Sequence, residues 1–422
     1  MSVQAPFILV ADASNDNLAA ALRVKDRAPV IECTWAKAAK TIEKSWPAAV
    51  VFDEPVTEER AKYIDGITTA LAQRPEPYLP IVARVVADFP TVTPTALPIS
   101  VSATPERIAA RVFSALRVRT LHTTLFNRTE SVRAAGVDLP EMSGGDPLDD
   151  ATVLVTGRGR TYPELATVVG ERVGMIGSLS VESAARYLNS RDLNGIFIGE
   201  GYGPPTVNAF LTALGEDARF RDIPIALLGG VPVSADLSRL PNFERFDARP
   251  ADAVKWMWPL VRLHAYEAQL QRQLTAVEAR GMLDPKSGLF TTIVFLDELS
   301  RAVKAPRHRK PNFSVARFTF PREVDARITL DAARQVSRLI RSVDFACQAS
   351  DGSILFACPE TELRSAHVLA RRIASALKST ILTSDRKDGR IEPMIALAAL
   401  KPNDTVESLL SRVSEPAQLA AE

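Results

Sequence analysis

Short apolar runs recur along the first part of the chain at the spacing expected of buried parallel strands. The runs are FILVA at 7–11, AAVVF at 48–52, LPIVA at 79–83 and a weaker stretch around Leu97–Val101. Helix-like stretches separate them, and after the last run Thr104 is positioned as an N-cap with Pro105 at the first helical position. This alternation predicts a doubly wound α/β domain over residues 1–125.

The same rhythm begins again after a polar segment. Residues 126–150 contain Gly-Gly, Asp-Pro and an acidic cluster, which is typical of a linker. New apolar runs then follow as TVLVT at 152–156, NGIFIG at 194–199 and IPIALLGG at 223–230. Two units with one pattern indicate an internal duplication, so we predict a second doubly wound domain of flavodoxin-like type over 151–260.

An amphipathic linking helix is predicted next, over 261–282. Its apolar residues recur at intervals of three and four, at Leu263, Tyr266, Leu270, Leu274 and Val277. Two interpretations stay open here. The helix packs on its own domain, or it forms a dimerising stalk, for which the stripe has barely the minimum length.

The remaining residues, 283–415, alternate in an α+β manner. Strand-like segments lie at 312–320, 345–359 and 391–400, and helix-like segments lie at 331–342, 362–377 and 405–413. Residues 345–359 surround a Ser-Asp-Gly-Ser turn, which predicts a β-hairpin. The predicted fold class is therefore α/β, with two doubly wound domains and a C-terminal α+β domain.

Composition narrows the functional classes. The 422 residues suffice for roughly two to four domains, and a formal net charge of +1 gives no global basic field, so we predict no nucleic-acid partner. The three cysteines form no CxxC pair and the four histidines are dispersed, which argues against zinc and favours a reduced, cytoplasmic compartment. We predict no signal peptide and no membrane span, since no apolar run approaches about 20 residues.

Two motifs relate the C-terminal domain to a known family. Residues 284–292, DPKSGLFTT, follow the pattern DxLTGLxNR up to its Asn-Arg. The segment from Asp344 to Ile354, followed by Pro359, keeps the spacing of Asp-x-x-x-Arg-Tyr-Gly-Gly-Asp-Glu-Phe and its closing proline. The domain therefore resembles a GGDEF (diguanylate cyclase) domain. The whole chain resembles the receiver–receiver–GGDEF proteins of the PleD family of response regulators.

The resemblance implies that the catalytic residues are lost. The positions of the family's metal-binding acids hold Gly352 and Ser353 in the hairpin, and Thr319 and Phe320 in the preceding strand. Asp351 leaves one displaced carboxylate, which is a poor site for the two metal ions of this reaction. We therefore predict that the chain is not an enzyme; an atypical diguanylate cyclase is an alternative.

The resemblance also implies a ligand site. The family's inhibitory RxxD motif corresponds in register to Arg341 and Asp344, and its second arginine corresponds to Arg372 on the following helix. An arginine fork binds O6 and N7 of guanine, and a carboxylate accepts from its N1–H and N2–H₂ edge. We predict that cyclic di-GMP binds at Arg341, Asp344 and Arg372. The alternative is a simple ion pair between Arg341 and Asp344 on a solvated face.

Receiver domains phosphorylate an aspartate beside a magnesium ion, and the first domain keeps part of that set. Asp53 is the candidate phosphoacceptor, with Asp12 as an acidic partner and Mg²⁺ as the candidate ion. The family's lysine is absent, and Arg84 follows the third apolar run, LPIVA, where a Ser or Thr is expected. The alternative interpretation is a degenerate interaction domain whose aspartate merely ends a strand.

The second domain lacks these acids, because Gly199 occupies the acceptor position and Gly157 and Arg158 follow the first strand. We predict a pseudo-receiver that serves as an adaptor or dimerisation module. Arg158 and Arg262 are candidates for a further arginine at the ligand site, and the sequence does not choose between them.

Together these features predict a non-catalytic cyclic di-GMP effector that acts through protein–protein interaction. The family analogy suggests cell-cycle or protease-adaptor proteins as partners, recruitment to the cell pole within the cytoplasm, and a homodimer. The alternative in a different class is a phosphorylation-responsive scaffold without a nucleotide ligand.

Overall fold

The computed structural model describes residues 5–414 except 24–28, 74–77, 87–90, 135, 140–143, 248, 305–312, 322–324, 342–343, 360, 381–392 and 402. The chain divides into two compact units. The first contains Met1–Phe126, Asp146–Leu188 and Asp192–Leu270, and the second contains Asn127–Gly145, Asn189–Arg191 and Gln271–Glu422. Both predicted α/β domains thus fall mainly in the first unit, and the predicted C-terminal domain falls in the second.

The first α/β domain is built on a parallel sheet. Its strands are β1 (Phe7–Val10), β2 (Val30–Cys33), β3 (Ala49–Phe52), β4 (Ile81–Val85) and β5 (Leu97–Ser100). Its helices are α1 (Asp16–Leu22), α2 (Trp35–Ser45), α3 (Glu58–Ala61), α4 (Ile64–Ala72) and α5 (Pro105–Ala134). The strand order is β2-β1-β3-β4-β5, and every residue of the central strands β1 and β3 is buried. The predicted parallel strands are therefore confirmed, because full burial on both faces is what their continuous apolar runs require.

The second α/β domain repeats this arrangement. Its strands are β6 (Thr152–Thr156), β7 (Gly174–Ser178), β8 (Gly195–Ile198), β9 (Ile225–Leu228) and β10 (Phe243–Phe246). Its helices are α6 (Tyr162–Gly170), α7 (Val181–Ser190), α8 (Pro204–Glu216) and α9 (Pro250–Glu278). The order β10-β9-β8-β6-β7, read from its other edge, is the order of the first sheet. Equal topology in two successive domains agrees with the predicted duplication.

Two long helices cross the domain boundaries that the sequence predicts. Helix α5 begins at Pro105 as expected but continues to Ala134, past the predicted start of a linker at 126. Helix α9 begins at Pro250 and ends at Glu278, so it includes most of the predicted linking helix 261–282. Within the described residues, no helix is both long and apolar enough to cross a membrane.

The C-terminal domain combines an antiparallel sheet with four described helices. Its strands are β11 (Phe313–Thr319), β12 (Phe345–Gln348), β13 (Ile354–Pro359) and β14 (Met394–Ala399). Its helices are α10 (Thr292–Lys304), α11 (Ala326–Leu339), α12 (Leu363–Thr380) and α13 (Val406–Ser414). The strand order is β12-β13-β11-β14, which confirms the predicted α+β domain and its hairpin.

Both faces of this antiparallel sheet are covered by helices. On β13, Ile354 and Phe356 pack with α11 and α12, whereas Leu355 and Ala357 pack with α10 and α13. The alternation of side chains along a strand thus divides the apolar residues between two cores. The ends of β12 and β13 lie between these cores; Arg341 and Asp344 precede β12, Asp351 lies in the turn between β12 and β13, and Arg372 lies on α12.

Candidate functional site

The hairpin turn lies between β12 and β13 and is closed by backbone hydrogen bonds. Ala349 N donates to Ser353 O at 2.8 Å, and Gly352 N donates to Ala349 O at 2.9 Å. Gly352 has a φ of +80°, a conformation that a residue without Cβ adopts easily. The turn therefore has a glycine at the position that needs a positive φ.

Arg317 forms an ion pair with Asp351, the acidic residue of this turn. Arg317 Nη2 lies 2.5 Å from Asp351 Oδ2, and Arg317 Nε donates to Ser353 Oγ at 3.0 Å. Asp351 also accepts from Ser353 N at 3.0 Å and Ser353 Oγ at 2.6 Å. Burial opposes ionisation of Asp351, yet the bonds from Ser353 and the charge of Arg317 lower its pKa below the usual value. Asp351 is therefore an anion that already has its counter-charge.

A depression of about 350 Å³ opens beside the turn. Its lining residues are Asp284, Phe290, Thr291, Thr292, Gln348, Ala349 and Ser350. The Asp284 carboxylate is committed to its own loop, since it accepts from Ser287 N at 2.9 Å and Ser287 Oγ at 2.5 Å. Among the described residues, no three Asp, Glu, His or Cys side chains are placed to hold a metal ion. The depression therefore presents mainly hydroxyl and amide groups.

The structure brings Arg341 and Asp344 together in the turn between α11 and β12. Asp344 N donates to Arg341 O at 3.0 Å, and Arg341 N approaches Asp344 Oδ2 at 3.4 Å. The helix predicted over 331–342 ends earlier than expected, because α11 ends at Leu339 and Arg341 lies beyond it. Ser342 and Val343, the middle of the RxxD motif, lie outside the described residues.

Asp344 is buried while Arg341 is exposed. Only 6% of Asp344 is accessible, and within the described part of the chain its carboxylate accepts a single, long hydrogen bond. Burial raises the pKa of Asp344, and the backbone bond and charge of Arg341 only partly oppose this. Cys358 lies on the neighbouring strand β13. Burial is the larger cause, and the charge of Asp344 the smaller one, that raises the pKa of its thiol to about 12. Among the residues that the structure describes, Asp344 is thus a carboxylate without a strong partner.

Arg372 lies on the exposed side of α12, whose buried residues pack against β11, β14 and α11. Between described residues, no hydrogen bond or ion pair joins Arg372 to Arg341 or Asp344. Arg364 and Arg371 are exposed on the same helix, and α12 has no acidic residue. Arg341 and Asp344 therefore lie together, whereas Arg372 is an exposed cation without an ion pair among the described residues.

The candidate phosphoacceptor of the first domain is also paired with an arginine. Asp53 directly follows β3, and its Oδ1 lies 2.7 Å from Arg84 Nε on β4. Its Oδ2 accepts from Asn15 Nδ2 at 2.7 Å. Arg84 Nη1 also donates to the carbonyl oxygens of Ser100, at 3.3 Å, and Ala103, at 3.1 Å.

A second arginine binds the neighbouring acids. Arg60 Nη2 lies 3.1 Å from Asp12 Oδ2 and 2.6 Å from Glu54 Oε2. Its Nη1 donates to Pro55 O at 3.0 Å. Arg60 thus bridges an acid that follows β1 and an acid that follows β3, and sequence reasoning missed Arg60 because it lies 48 residues from Asp12.

In the second domain, the loops that follow β6 and β8 are joined by backbone hydrogen bonds. Arg158 N and Gly159 N both donate to Glu200 O, at 2.8 and 3.0 Å, and Gly199 N donates to Thr156 O at 2.7 Å. A Cβ on Gly159 would lie 2.4 Å from Glu200 Cβ, so the two loops approach too closely for a side chain there. Arg158 Nε donates to Leu179 O at 2.6 Å, and Arg262 forms an ion pair with Asp146.

No protein-family model matches the chain, and no curated protein matches it. Among solved structures it is similar to the diguanylate cyclase SiaD from Pseudomonas aeruginosa in complex with its activator SiaC, with 16% identity over 35% of this chain and a TM-score of 0.29. The chain spans 60% of that SiaD chain.

Two further similar structures contain GGDEF domains. One is the coiled coil and GGDEF domain of DgcB from Caulobacter crescentus in complex with c-di-GMP, with 17% identity over 35% of this chain and 83% of that chain, and a TM-score of 0.29. The other is the FimX GGDEF domain from Pseudomonas aeruginosa, with 13% identity over 32% of this chain and 89% of that chain, and a TM-score of 0.28.

Proposed function

We propose that this protein is a non-catalytic receptor for cyclic di-GMP, which it binds at Arg341, Asp344 and Arg372. The observation that carries the proposal is the buried carboxylate of Asp344, which has a raised pKa and accepts, among the described residues, one long hydrogen bond. Native proteins seldom bury an acid without strong partners, and such groups concentrate at functional sites. A guanine base supplies the N–H donors that this carboxylate lacks.

The neighbouring cations suit the rest of such a ligand. Arg341 is exposed beside Asp344, and its guanidinium can bind the O6 and N7 acceptors of guanine. Arg372 has no partner among the described residues, so its charge is free for a phosphate or for stacking on the purine. The three side chains together offer a donor fork, an acceptor and a counter-charge.

The hairpin turn supports a role without catalysis. Phosphoryl chemistry in cyclases requires acids that bind metal ions, and Asp351 is held by Arg317 and Ser353. Incubation with GTP and Mg²⁺ or Mn²⁺ is expected to yield no cyclic di-GMP above a control without protein. Formation of product above that control would replace this proposal with an atypical cyclase.

Binding is tested by calorimetric titration of cyclic di-GMP into the whole chain. We expect micromolar or tighter affinity, which is about 8 kcal/mol or more. Arg341→Ala and Arg372→Ala should each weaken binding at least about tenfold, which is about 1.4 kcal/mol. A well-folded wild type that does not bind would contradict the proposal.

The matched control is Arg371→Ala. Arg371 precedes Arg372 on the same helix and is likewise exposed, so the two variants remove equal charge from adjacent positions. We expect Arg371→Ala to bind with nearly unchanged affinity. Equal losses in both variants would indicate a general electrostatic attraction and not the proposed site.

The output of the receptor is proposed to be a protein interaction. A ligand shifts a conformational equilibrium only by its difference in affinity for the two states, so a partner must sense that difference. We propose a homodimer and recruitment of cell-cycle or protease-adaptor proteins at the cell pole. Pull-down from cell extract with and without cyclic di-GMP, using Arg341→Ala as the control, tests this.

A further inference from the structure

Acidic side chains converge at one edge of the first sheet. Asp12 follows β1 and Asp53 follows β3, and these strands are neighbours in a parallel sheet. The carboxyl ends of parallel strands are a usual place for ligands, and clustered carboxylates there normally bind a hard cation such as Mg²⁺. Without a cation, such a cluster is destabilised by repulsion between its charges.

In this chain the counter-charge comes from the protein itself. The Arg60 guanidinium bridges Asp12 and Glu54, and Arg84 pairs with Asp53. Only 11% of the Arg84 side chain and 7% of the Asp53 side chain are accessible. Trp35 lies beside the cluster: its backbone N–H is directed at Asp12 Oδ1 at 3.4 Å, and the Arg60 guanidinium lies 5.7 Å from its ring centre.

Arg84 also reaches beyond the acids. Its Nη1 donates to the carbonyl oxygens of Ser100, Val101 and Ala103, which form the turn between β5 and α5. One guanidinium therefore connects the end of β3 with the start of the long helix α5. Ordinary cation sites make such a connection only while the ion or a phosphoryl group is present.

We propose that Arg60 and Arg84 are built-in cations that close this acidic cluster permanently. The first domain is then held in one state, with α5 fixed to Asp53, and neither Mg²⁺ nor a phosphoryl donor controls it. Asp53 serves as the anchor of Arg84 and not as a phosphoacceptor.

The first test uses the wild-type chain and the fluorescence of Trp35. We expect no saturable fluorescence change with Mg²⁺ up to about 10 mM, where carboxylate sites of this type fill. We also expect no labelling of Asp53 by acetyl phosphate. A saturable change that is absent in Trp35→Phe, or labelling that is absent in Asp53→Asn, would overturn the proposal.

The second test is the sign of one stability change. In an open acidic cluster Asp53→Asn relieves repulsion and raises the melting temperature. In the closed cluster it leaves Arg84 buried without its partner, and we expect a drop of roughly 5 °C or more. Asp65→Asn, at an exposed position on α4, is the control and should change little. A rise in Asp53→Asn would refute the built-in cations.

A third variant asks whether the acids regain metal affinity. Arg60→Gln combined with Arg84→Gln keeps most of the side-chain volume but removes both charges. We expect this variant to bind Mg²⁺ in the millimolar range by the same fluorescence signal. Absence of binding by a folded double variant would count against the proposal, because the acids would then need no counter-charge.

Discussion

Arginine side chains neutralise acids at separate places in this chain. Arg317 pairs with Asp351 in the C-terminal domain, and Arg84 pairs with Asp53 in the first α/β domain. A guanidinium supplies positive charge as a divalent ion does, but it offers neither a bound water nor Lewis acidity. Asp344 differs from these acids, because within the described residues it has no ion pair. Because of this contrast, ligand binding is proposed for Asp344 and not for Asp351 or Asp53.

Asp344→Asn is expected to stabilise the ligand-free protein while it abolishes cyclic di-GMP binding. Burial raises the pKa of Asp344, so the folded state disfavours the ionised carboxylate. Below the usual carboxyl pKa of about 3.9 the group is neutral in both states, and wild type and variant should be alike. As the pH rises through the raised pKa, the wild type alone loses stability.

This prediction is checked by urea unfolding at about pH 4 and at pH 7. The variant should gain about 1 kcal/mol over the wild type at pH 7 and little at the lower pH. Glu362→Gln, an exposed acid next to α12, is the control and should show no such trend. A variant that is less stable at pH 7 would mean that Arg341 stabilises the ionised carboxylate.

At the scale of elements, the β12–β13 hairpin depends on local signals and is therefore predictable. Alternating apolar residues flank a turn with one glycine, and Gly352 occupies the left-handed position of that turn. A Cβ at this position would meet Thr329 at 3.5 Å, which is an ordinary contact. Any loss of stability caused by a side chain at position 352 therefore comes from the strained backbone conformation.

Gly352→Ala is expected to lower the free energy of unfolding by about 1 kcal/mol. Gly352→Asn should lose less, because asparagine tolerates a positive φ better than alanine does. Urea unfolding of the two variants measures the difference. Equal losses would show that the added atoms clash, contrary to the spacing around Gly352.

The elements that the sequence analysis missed share physical causes. Strands β2, β7 and β10 are all at edges of their sheets, where a strand has one neighbour and carries polar residues such as Glu32. Helix α10 begins with TIVFL, which cannot be distinguished from a strand by periodicity. The arginine pairs are harder still, because Arg84 lies 31 residues from Asp53 and no local pattern relates them.

At the scale of the whole molecule, the duplicated α/β domains of the first unit share a buried ionic contact. Arg111 on α5 is fully buried, and its Nη1 lies 2.8 Å from Glu244 Oε1 on β10. Its Nε and Nη2 donate to Pro241 O at 3.1 and 2.8 Å. Burial lowers the pKa of Arg111, and the charge of Glu244 opposes that effect. Arg111 and Pro241 lie 130 residues apart in the sequence, so only the folded chain reveals these contacts.

Glu244→Gln should therefore destabilise the first unit strongly, because it leaves the Arg111 charge buried without a counter-charge. We expect a loss of about 3 kcal/mol in the free energy of urea unfolding. Arg117→Ala provides the matched control on the same helix, since Arg117 pairs with Asp222 at 2.5 Å but has 52% of its side chain exposed. An exposed pair contributes less than about 1 kcal/mol. If both variants lose equally little free energy of unfolding, the hydrogen bonds that Arg111 donates to its carbonyl partners suffice to stabilise its buried charge. The two domains would then be held together by apolar contacts and not by this ion pair.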